Sequence, residues 1–158
     1  MNAVRSLFAT LFAFLVGAQA ASAVGGENAP TLVDDSNVAV QGYDVVAYFT
    51  AGKPIKGVER HATVHQGATY RFATAENLAA FQAEPQRYLP QYGGYCAWGV
   101  GAKDDLFPID PNAWKIVDGK LYLNYNADIQ QQWLADVPGF IKKANAYWAG
   151  RQARDAAQ

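Results

Sequence analysis

The segment 115–123 constrains the fold of this chain more than any other. Asp118-Gly119 lies within it, and an Asp-Gly pair supplies the two positive φ angles of a type I′ turn between two apolar strands. A second hairpin is indicated over 62–72, where residues alternate in polarity and Gly67 marks the turn. We therefore expect both hairpins to belong to one small antiparallel sheet.

Helices are predicted around that sheet. Thr74 is placed to cap a helix over 75–82, and Asn126 is placed to cap another. A further helix is expected to start near Pro138. Because the apolar stripes of these helices need a common core, the sequence predicts a single α+β domain over 38–150, a small antiparallel sheet with packed helices. No internal repeat is recognised in the sequence.

Residues 1–23 have the pattern of a secretory signal peptide. Arg5 gives a positive start, 7–16 form an apolar stretch, and A-x-A cleavage sites end at Ala20 and Ala23. The apolar stretch is short for a bilayer, which needs roughly 20 apolar residues. We expect a periplasmic or secreted protein with no membrane span after signal removal.

Polar, turn-rich ends are predicted on both sides of the domain. Residues 24–37 are expected to form a flexible leader, and 151–158 a frayed, disordered tail. The chain carries 13 Lys and Arg against 14 Asp and Glu. No basic stripe or cluster is present, so the sequence offers no electrostatic case for binding nucleic acid or an anionic membrane.

Cys96 is the only cysteine, and it lies in a glycine- and aromatic-rich run, 92–99. An exported protein with an odd cysteine count cannot pair every thiol internally, so Cys96 is buried, liganded, reactive or intermolecular. Its surroundings supply glycines, hydroxyl-bearing rings and a carboxylate that together are able to orient a small ligand. The candidate ligand-binding residues are Tyr43, Asp44, Tyr70, Tyr92, Gly94, Tyr95 and Cys96. The alternative is that the aromatic residues build the core and Asp44 caps the following turn.

The candidate metal ligands are Cys96, His61 and His65, for a copper or zinc ion. The two histidines are four residues apart, a spacing of about 13 Å along a strand, which is too long for one ion unless the strand bulges. The alternative is that both are partly exposed histidines of a strand or loop.

Several motifs resemble the YHS family. The central pattern is Gly67-x-x-Tyr70-x-Phe72 followed by Phe81-x-x-x-Pro85-x-x-Tyr88. The wider pattern adds Gly42-Tyr43-Asp44-x-Val46-Ala47-Tyr48-Phe49, Tyr92-Gly93-Gly94-Tyr95-Cys96-Ala97 and Asp118-Gly119-Lys120-Leu121-Tyr122-Leu123-Asn124. Together they resemble exported single-domain YHS proteins of Gram-negative bacteria over roughly 37–150.

The resemblance implies a YHS-like core and a periplasmic binding or accessory module, associated with a metal such as copper and without catalysis of its own. Metal-associated YHS modules are expected to carry cysteines where this chain has Gln41, Ala73 and Asn77. These three thiols are absent, which weakens the expectation of a metal.

Two other functions stay open, and the ligand or protein partner stays unknown. One is a small enzyme that uses Cys96 or Asp44. The other is a structural domain that binds a partner through exposed aromatic residues near Trp98 and Trp114.

The exported protein is expected to begin close to residue 21 or 24, because both A-x-A sites precede these positions. Intact-mass measurement of the protein from the periplasmic fraction checks this. A mass that retains Met1 would contradict the prediction.

Overall fold

A computed structural model of the chain describes residues 30–157. The predicted signal peptide, residues 24–29 of the leader and Gln158 lie outside the described residues. In chain order the elements are α1 (Ala47–Thr50), β1 (Val58–His65), β2 (Ala68–Phe72), α2 (Ala75–Ala83), α3 (Pro85–Tyr88), α4 (Ala97–Lys103), β3 (Asp110–Val117), β4 (Lys120–Asn124), α5 (Ala127–Leu134) and α6 (Val137–Asp155). Short 3-10 segments, Val40–Gly42 and Gln91–Gly94, precede α1 and α4. The fold is a single α+β domain, as predicted.

The two hairpins form two separate sheets. β1 pairs with β2 and β3 pairs with β4, each antiparallel and each two-stranded. The prediction of one shared sheet was therefore wrong. Phe72 of one hairpin and Leu121 of the other lie in the same core cluster, so side-chain packing joins the two sheets where strand pairing does not.

Both predicted turns are confirmed. Gln66 and Gly67 have φ angles of 48° and 80°, and Asp118 and Gly119 have φ angles of 50° and 71°. Positive φ at both central residues defines the type I′ turn, whose twist matches that of the flanking strands.

Side-chain caps begin the predicted helices. Thr74 Oγ1 accepts the Asn77 N–H at 3.1 Å at the start of α2, and Asn126 Oδ1 accepts the Ile129 N–H at 2.8 Å at the start of α5. Each cap satisfies one of the N–H groups that a helix leaves unpaired in its first turn.

An internal repeat, missed in the sequence, relates the two halves of the domain. Val58 and Asp110, the first residues of β1 and β3, are 52 residues apart. The same offset relates the last residues of β1 and β3, both ends of β2 and β4, and the first residues of α2 and α5. Even the irregularity recurs, since the strand register shifts between Val58 and Ala62 and again between Asp110 and Trp114. The domain therefore contains two copies of one hairpin–helix unit.

The repeat extends upstream of each hairpin. Gly42-Tyr43 in the first unit corresponds to Gly94-Tyr95 in the second, by the same step. The Tyr43 N–H donates to Val40 O at 3.0 Å, and the Tyr95 N–H donates to Tyr92 O at 3.1 Å. The residues that follow, Asp44 and Cys96, therefore occupy equivalent places.

Both ends of the described chain are more ordered than the sequence suggested. The Leu32 N–H donates to Gly93 O at 2.9 Å, so part of the predicted flexible leader lies against the domain. The helix α6 continues to Asp155, so residues 151–155 are helical rather than disordered. Within residues 30–157, no helix is both long enough and apolar enough to cross a bilayer.

Replacing Gly67 or Gly119 by Ala is expected to cost about 1 kcal/mol of unfolding free energy each, since both have positive φ. Nothing lies within 4 Å of either added Cβ, so the backbone conformation alone sets the cost. Gly150→Ala is the control of opposite sign. It lies inside α6, with Arg154 Nη1 3.6 Å from the added Cβ, and is expected to stabilise by about 0.5–1 kcal/mol. Urea unfolding measures all three, and a gain in stability for either turn variant would contradict the prediction.

Candidate functional site

The Asp44 side chain is completely buried and makes four hydrogen bonds. Its Oδ1 accepts the N–H groups of Val46 at 2.8 Å and Ala47 at 3.2 Å. Its Oδ2 accepts the Ala73 N–H at 2.9 Å and Asn77 Nδ2 at 2.7 Å. An ionised carboxylate has about four acceptor positions, so this one has none left for a ligand. Asp44 joins the turn before α1 to the start of α2.

Two of the three positions at which the resemblance leads us to expect cysteines contribute to this network instead. The Ala73 N–H and the Asn77 side chain both donate to the carboxylate. Gln41, at the third position, donates through Nε2 to Ile109 O at 2.7 Å.

Cys96 has the same backbone setting as Asp44. The Cys96 N–H donates to Phe107 O at 3.0 Å, as the Asp44 N–H donates to Ile55 O at 2.8 Å. Its Sγ caps α4 by accepting the Gly99 N–H at 3.4 Å. The thiol of the second unit thus lies where the first unit has the Asp44 carboxylate. We call each of these two equivalent places, a side chain with the backbone N–H groups around it, a cradle.

The residues around the two cradles differ. Asn77, the side-chain partner of Asp44, corresponds to Ile129, and the core residue Phe72 corresponds to Asn124. Asn124 is completely buried; its Oδ1 accepts the Trp98 N–H at 3.2 Å and lies 3.8 Å from Sγ of Cys96. In the second unit, Ile129 therefore replaces the amide that donates to the carboxylate, and Asn124 instead supplies a buried carbonyl oxygen to which the thiol donates.

A cleft of about 390 Å³ opens beside Cys96. Its lining is mainly apolar and consists of Cys96, Trp98, Phe107, Pro108, Tyr125 and Ile129. Tyr125 is 48% exposed and Ile129 is half-buried. The cleft has the size and apolar character of a pocket for a small molecule.

Burial raises the pKa of the Cys96 thiol above its ordinary value, while the backbone N–H groups of Gly99, Tyr125 and Trp98 oppose that rise. The net direction is upward, because desolvation disfavours the thiolate more than these dipoles favour it. At neutral pH the residue is therefore a thiol, which is a poor nucleophile.

The predicted tyrosines are divided between two core clusters. Tyr70 is buried and stacks on Phe81 at 5.1 Å between ring centroids, and burial raises its pKa to about 12. Tyr43 is half-buried, with Lys56 Nζ 4.6 Å from its ring centroid. Neither residue lines the cleft, so both belong to the packing of the first unit.

Tyr92, Gly94 and Tyr95 also lie outside the lining of the cleft. The Tyr92 hydroxyl donates to Asn145 Oδ1 at 2.9 Å, and its ring packs against Trp148, with 5.9 Å between centroids. Gly94 is buried with φ of 85°, and Tyr95 is half-buried near Trp148. Burial raises the pKa of both tyrosines. Of the seven predicted ligand-binding residues, the structure places Cys96 at the cleft.

The three predicted metal ligands do not form one centre. His61 and His65 both lie on β1, and the His65 ring packs on Phe81 at 5.6 Å between centroids. Within residues 30–157, no group of three or more His, Cys, Asp and Glu side chains is placed to hold a metal ion.

Sequence reasoning missed Phe107, Pro108, Tyr125 and Ile129 of the lining, and the buried Asn124. A signal was available in the motifs themselves, since Gly42-Tyr43-Asp44 and Gly94-Tyr95-Cys96 share their spacing to the two X-Gly turns. Recognition of that repeat would have placed Ile129 opposite Cys96, as Asn77 lies opposite Asp44.

Comparisons of this chain with protein-family models, with curated proteins and with solved structures find no match.

Transferring the Asp44–Asn77 pair to the second unit tests the equivalence of the two cradles. Cys96→Asp combined with Ile129→Asn is expected to be less destabilising than the sum of the single changes by about 1–2 kcal/mol, since a charge-assisted hydrogen bond forms only in the double variant. Urea unfolding of the wild type, the two single variants and the double variant measures this coupling. Cys96→Ser with Ile129→Asn is the matched control, with smaller coupling. Strictly additive effects of Cys96→Asp and Ile129→Asn on the free energy of unfolding would contradict the equivalence of the two cradles.

Proposed function

We propose that this chain is an exported binding or accessory module of the YHS type, acting in the periplasm or outside the cell. It takes a small, mainly apolar ligand into the cleft beside Cys96 and has no catalysis of its own. The observation that carries the proposal is the cleft of about 390 Å³, with ring and aliphatic side chains around a single thiol. A pocket of this kind binds through excluded apolar surface.

Binding is better supported than catalysis by Cys96 or Asp44. Burial raises the pKa of the Cys96 thiol, whereas a nucleophilic cysteine needs a lowered one. The Asp44 carboxylate has all its acceptor positions occupied by N–H donors, so it is not free to accept a proton from a substrate.

A copper or zinc ion is less well supported than an apolar ligand. Among residues 30–157 no three-ligand group is present, and a thiol that keeps its proton is a poor ligand for either ion. Elemental analysis of the protein purified from the periplasm distinguishes the two. One equivalent of metal per chain would favour the metal hypothesis.

Partner binding through Trp98 and Trp114 has less support. Trp98 is half-buried in the lining of the cleft, and the half-buried ring of Trp114 packs on Tyr48 with 5.1 Å between centroids. The large apolar side chains exposed in the described part of the chain are Val64 and Tyr125. Val64 belongs to the first unit, whereas Tyr125 lines the cleft together with Trp98, so the exposed apolar surface near Trp98 is that of the cleft itself.

Binding of N-phenyl-1-naphthylamine, a neutral aromatic dye, tests the proposal. Wild-type protein is expected to bind the dye with a Kd on the order of 100 µM, as the ligand efficiency of a compound of this size allows. Ile129→Trp fills part of the cleft and is expected to weaken binding at least about tenfold, which is about 1.4 kcal/mol. Fluorescence titration measures both.

Val64→Trp is the matched control, because Val64 is 68% exposed and does not line the cleft. Its Kd is expected to equal that of the wild type. Equal binding by the wild type and Ile129→Trp would place the dye elsewhere and overturn the proposal, and so would equal losses in both variants.

A further inference from the structure

Three aromatic side chains line the cleft, and the repeated backbone does not require them. They are those of Trp98, Phe107 and Tyr125. Aliphatic residues occupy the equivalent positions of the first unit, which by the offset of 52 residues are Val46, Ile55 and Ala73. The same hairpin–helix unit therefore forms without rings at these positions, so the rings are a property of the cleft rather than of the repeated fold.

The rings that line the cleft pair with no other aromatic ring within residues 30–157. Trp98 instead has a cation on its ring, since Lys103 Nζ lies 5.4 Å from the ring centroid. The face of an aromatic ring carries partial negative charge and attracts cations, most strongly in tryptophan. The contact with Lys103 shows that the Trp98 ring is accessible to a positively charged group.

The charged residues closest to the lining in sequence are acidic. Within two positions of a lining residue the chain has no Lys or Arg and has three carboxylates, those of Asp105, Asp110 and Asp128. All three residues are exposed or half-buried. In the equivalent loop of the first unit, Lys53 and Lys56 take the places of Asp105 and Pro108. Three carboxylates against the ammonium of Lys103 make the charge around the cleft negative, which favours a positively charged ligand.

We propose that the cleft binds an organic cation, a ligand with an apolar body and a quaternary ammonium group that lies against the rings of Trp98 and Tyr125. This inference rests on the proposed function, since it names the chemical class of the ligand at the same cleft. A quaternary ammonium suits a mainly apolar lining better than a primary amine does, because it has no N–H groups that burial would leave without an acceptor. Aromatic rings are the usual contacts of such a cation in proteins.

Three ligands of the same shape test the inference. They share a para-(hydroxymethyl)phenyl body and carry a trimethylammonium, a tert-butyl or a sulfonate group. Heteronuclear NMR of the wild type measures binding from the shift of the Trp98 indole N–H signal, which Trp98→Phe identifies. The trimethylammonium ligand is expected to bind about five- to tenfold more tightly than the tert-butyl ligand. The sulfonate is expected to bind at least about tenfold more weakly than the trimethylammonium ligand, because its charge has the same sign as the surrounding carboxylates.

Substitutions of two exposed residues separate recognition of the cation from burial of the apolar body. Tyr125→Leu removes a ring and is expected to reduce the preference for the trimethylammonium ligand over the tert-butyl ligand about threefold, whereas Tyr125→Phe retains the ring and the preference. Lys103→Gln removes the chain's own cation from Trp98. The trimethylammonium ligand is then expected to bind about two- to threefold more tightly, and the tert-butyl ligand with unchanged affinity.

The outcomes separate this inference from the proposed function. If the tert-butyl ligand shifts the Trp98 signal and binds as tightly as the trimethylammonium ligand, or more tightly, the cation inference is overturned and the binding function stands. If none of the three ligands shifts that signal, the cation inference is overturned, and the dye titration decides the proposed function separately. Ile129→Trp is expected to weaken binding of the trimethylammonium ligand at least about tenfold. Undiminished binding by that variant would place the cation outside the cleft and overturn the inference.

Discussion

The buried carboxylate of Asp44 is the interaction on which the arrangement of the first unit depends. An ionised group is tolerated in a protein interior only when donors replace the water it has lost. Here three backbone N–H groups and one amide do so, and they come from both sides of a hairpin. One side chain therefore fixes where α1 and α2 begin, and its hydrogen bonds join the two ends of the β1–β2 hairpin segment that lies between these helices.

The second unit has the same backbone arrangement as the first but a different central side chain. Cys96 replaces the carboxylate and Ile129 replaces its amide partner, so a sulfur atom, which is a weak acceptor, lies where the carboxylate of the first unit accepts four donors. Space that is filled by hydrogen-bonded groups at Asp44 becomes an apolar cleft beside the thiol. The first unit has a fully hydrogen-bonded centre and the second has a cleft, a difference that follows from a few substitutions on a repeated backbone.

Much of the local structure was predictable. The Asp118-Gly119 turn and the Thr74 and Asn126 caps were read correctly, because each depends on residues within a few positions of one another. The pairing of the hairpins was not, since two strands that pair locally do not reveal which other edges they meet. Cys96 was found because it is unique in the chain, whereas Asn124 was missed because nothing in its neighbours marks it as buried.

The sequence by itself determined the class of fold, the turns, the helix caps and the singularity of the thiol. Only the tertiary structure decided that Asp44 is a structural group and that Cys96 faces a cleft. The Asp44 contacts to Ala73 and Asn77 join residues 29 and 33 positions apart, and the contact between Cys96 and Asn124 spans 28. Whether a polar side chain is free or fully bonded depends on such distant partners, and no local pattern contains them.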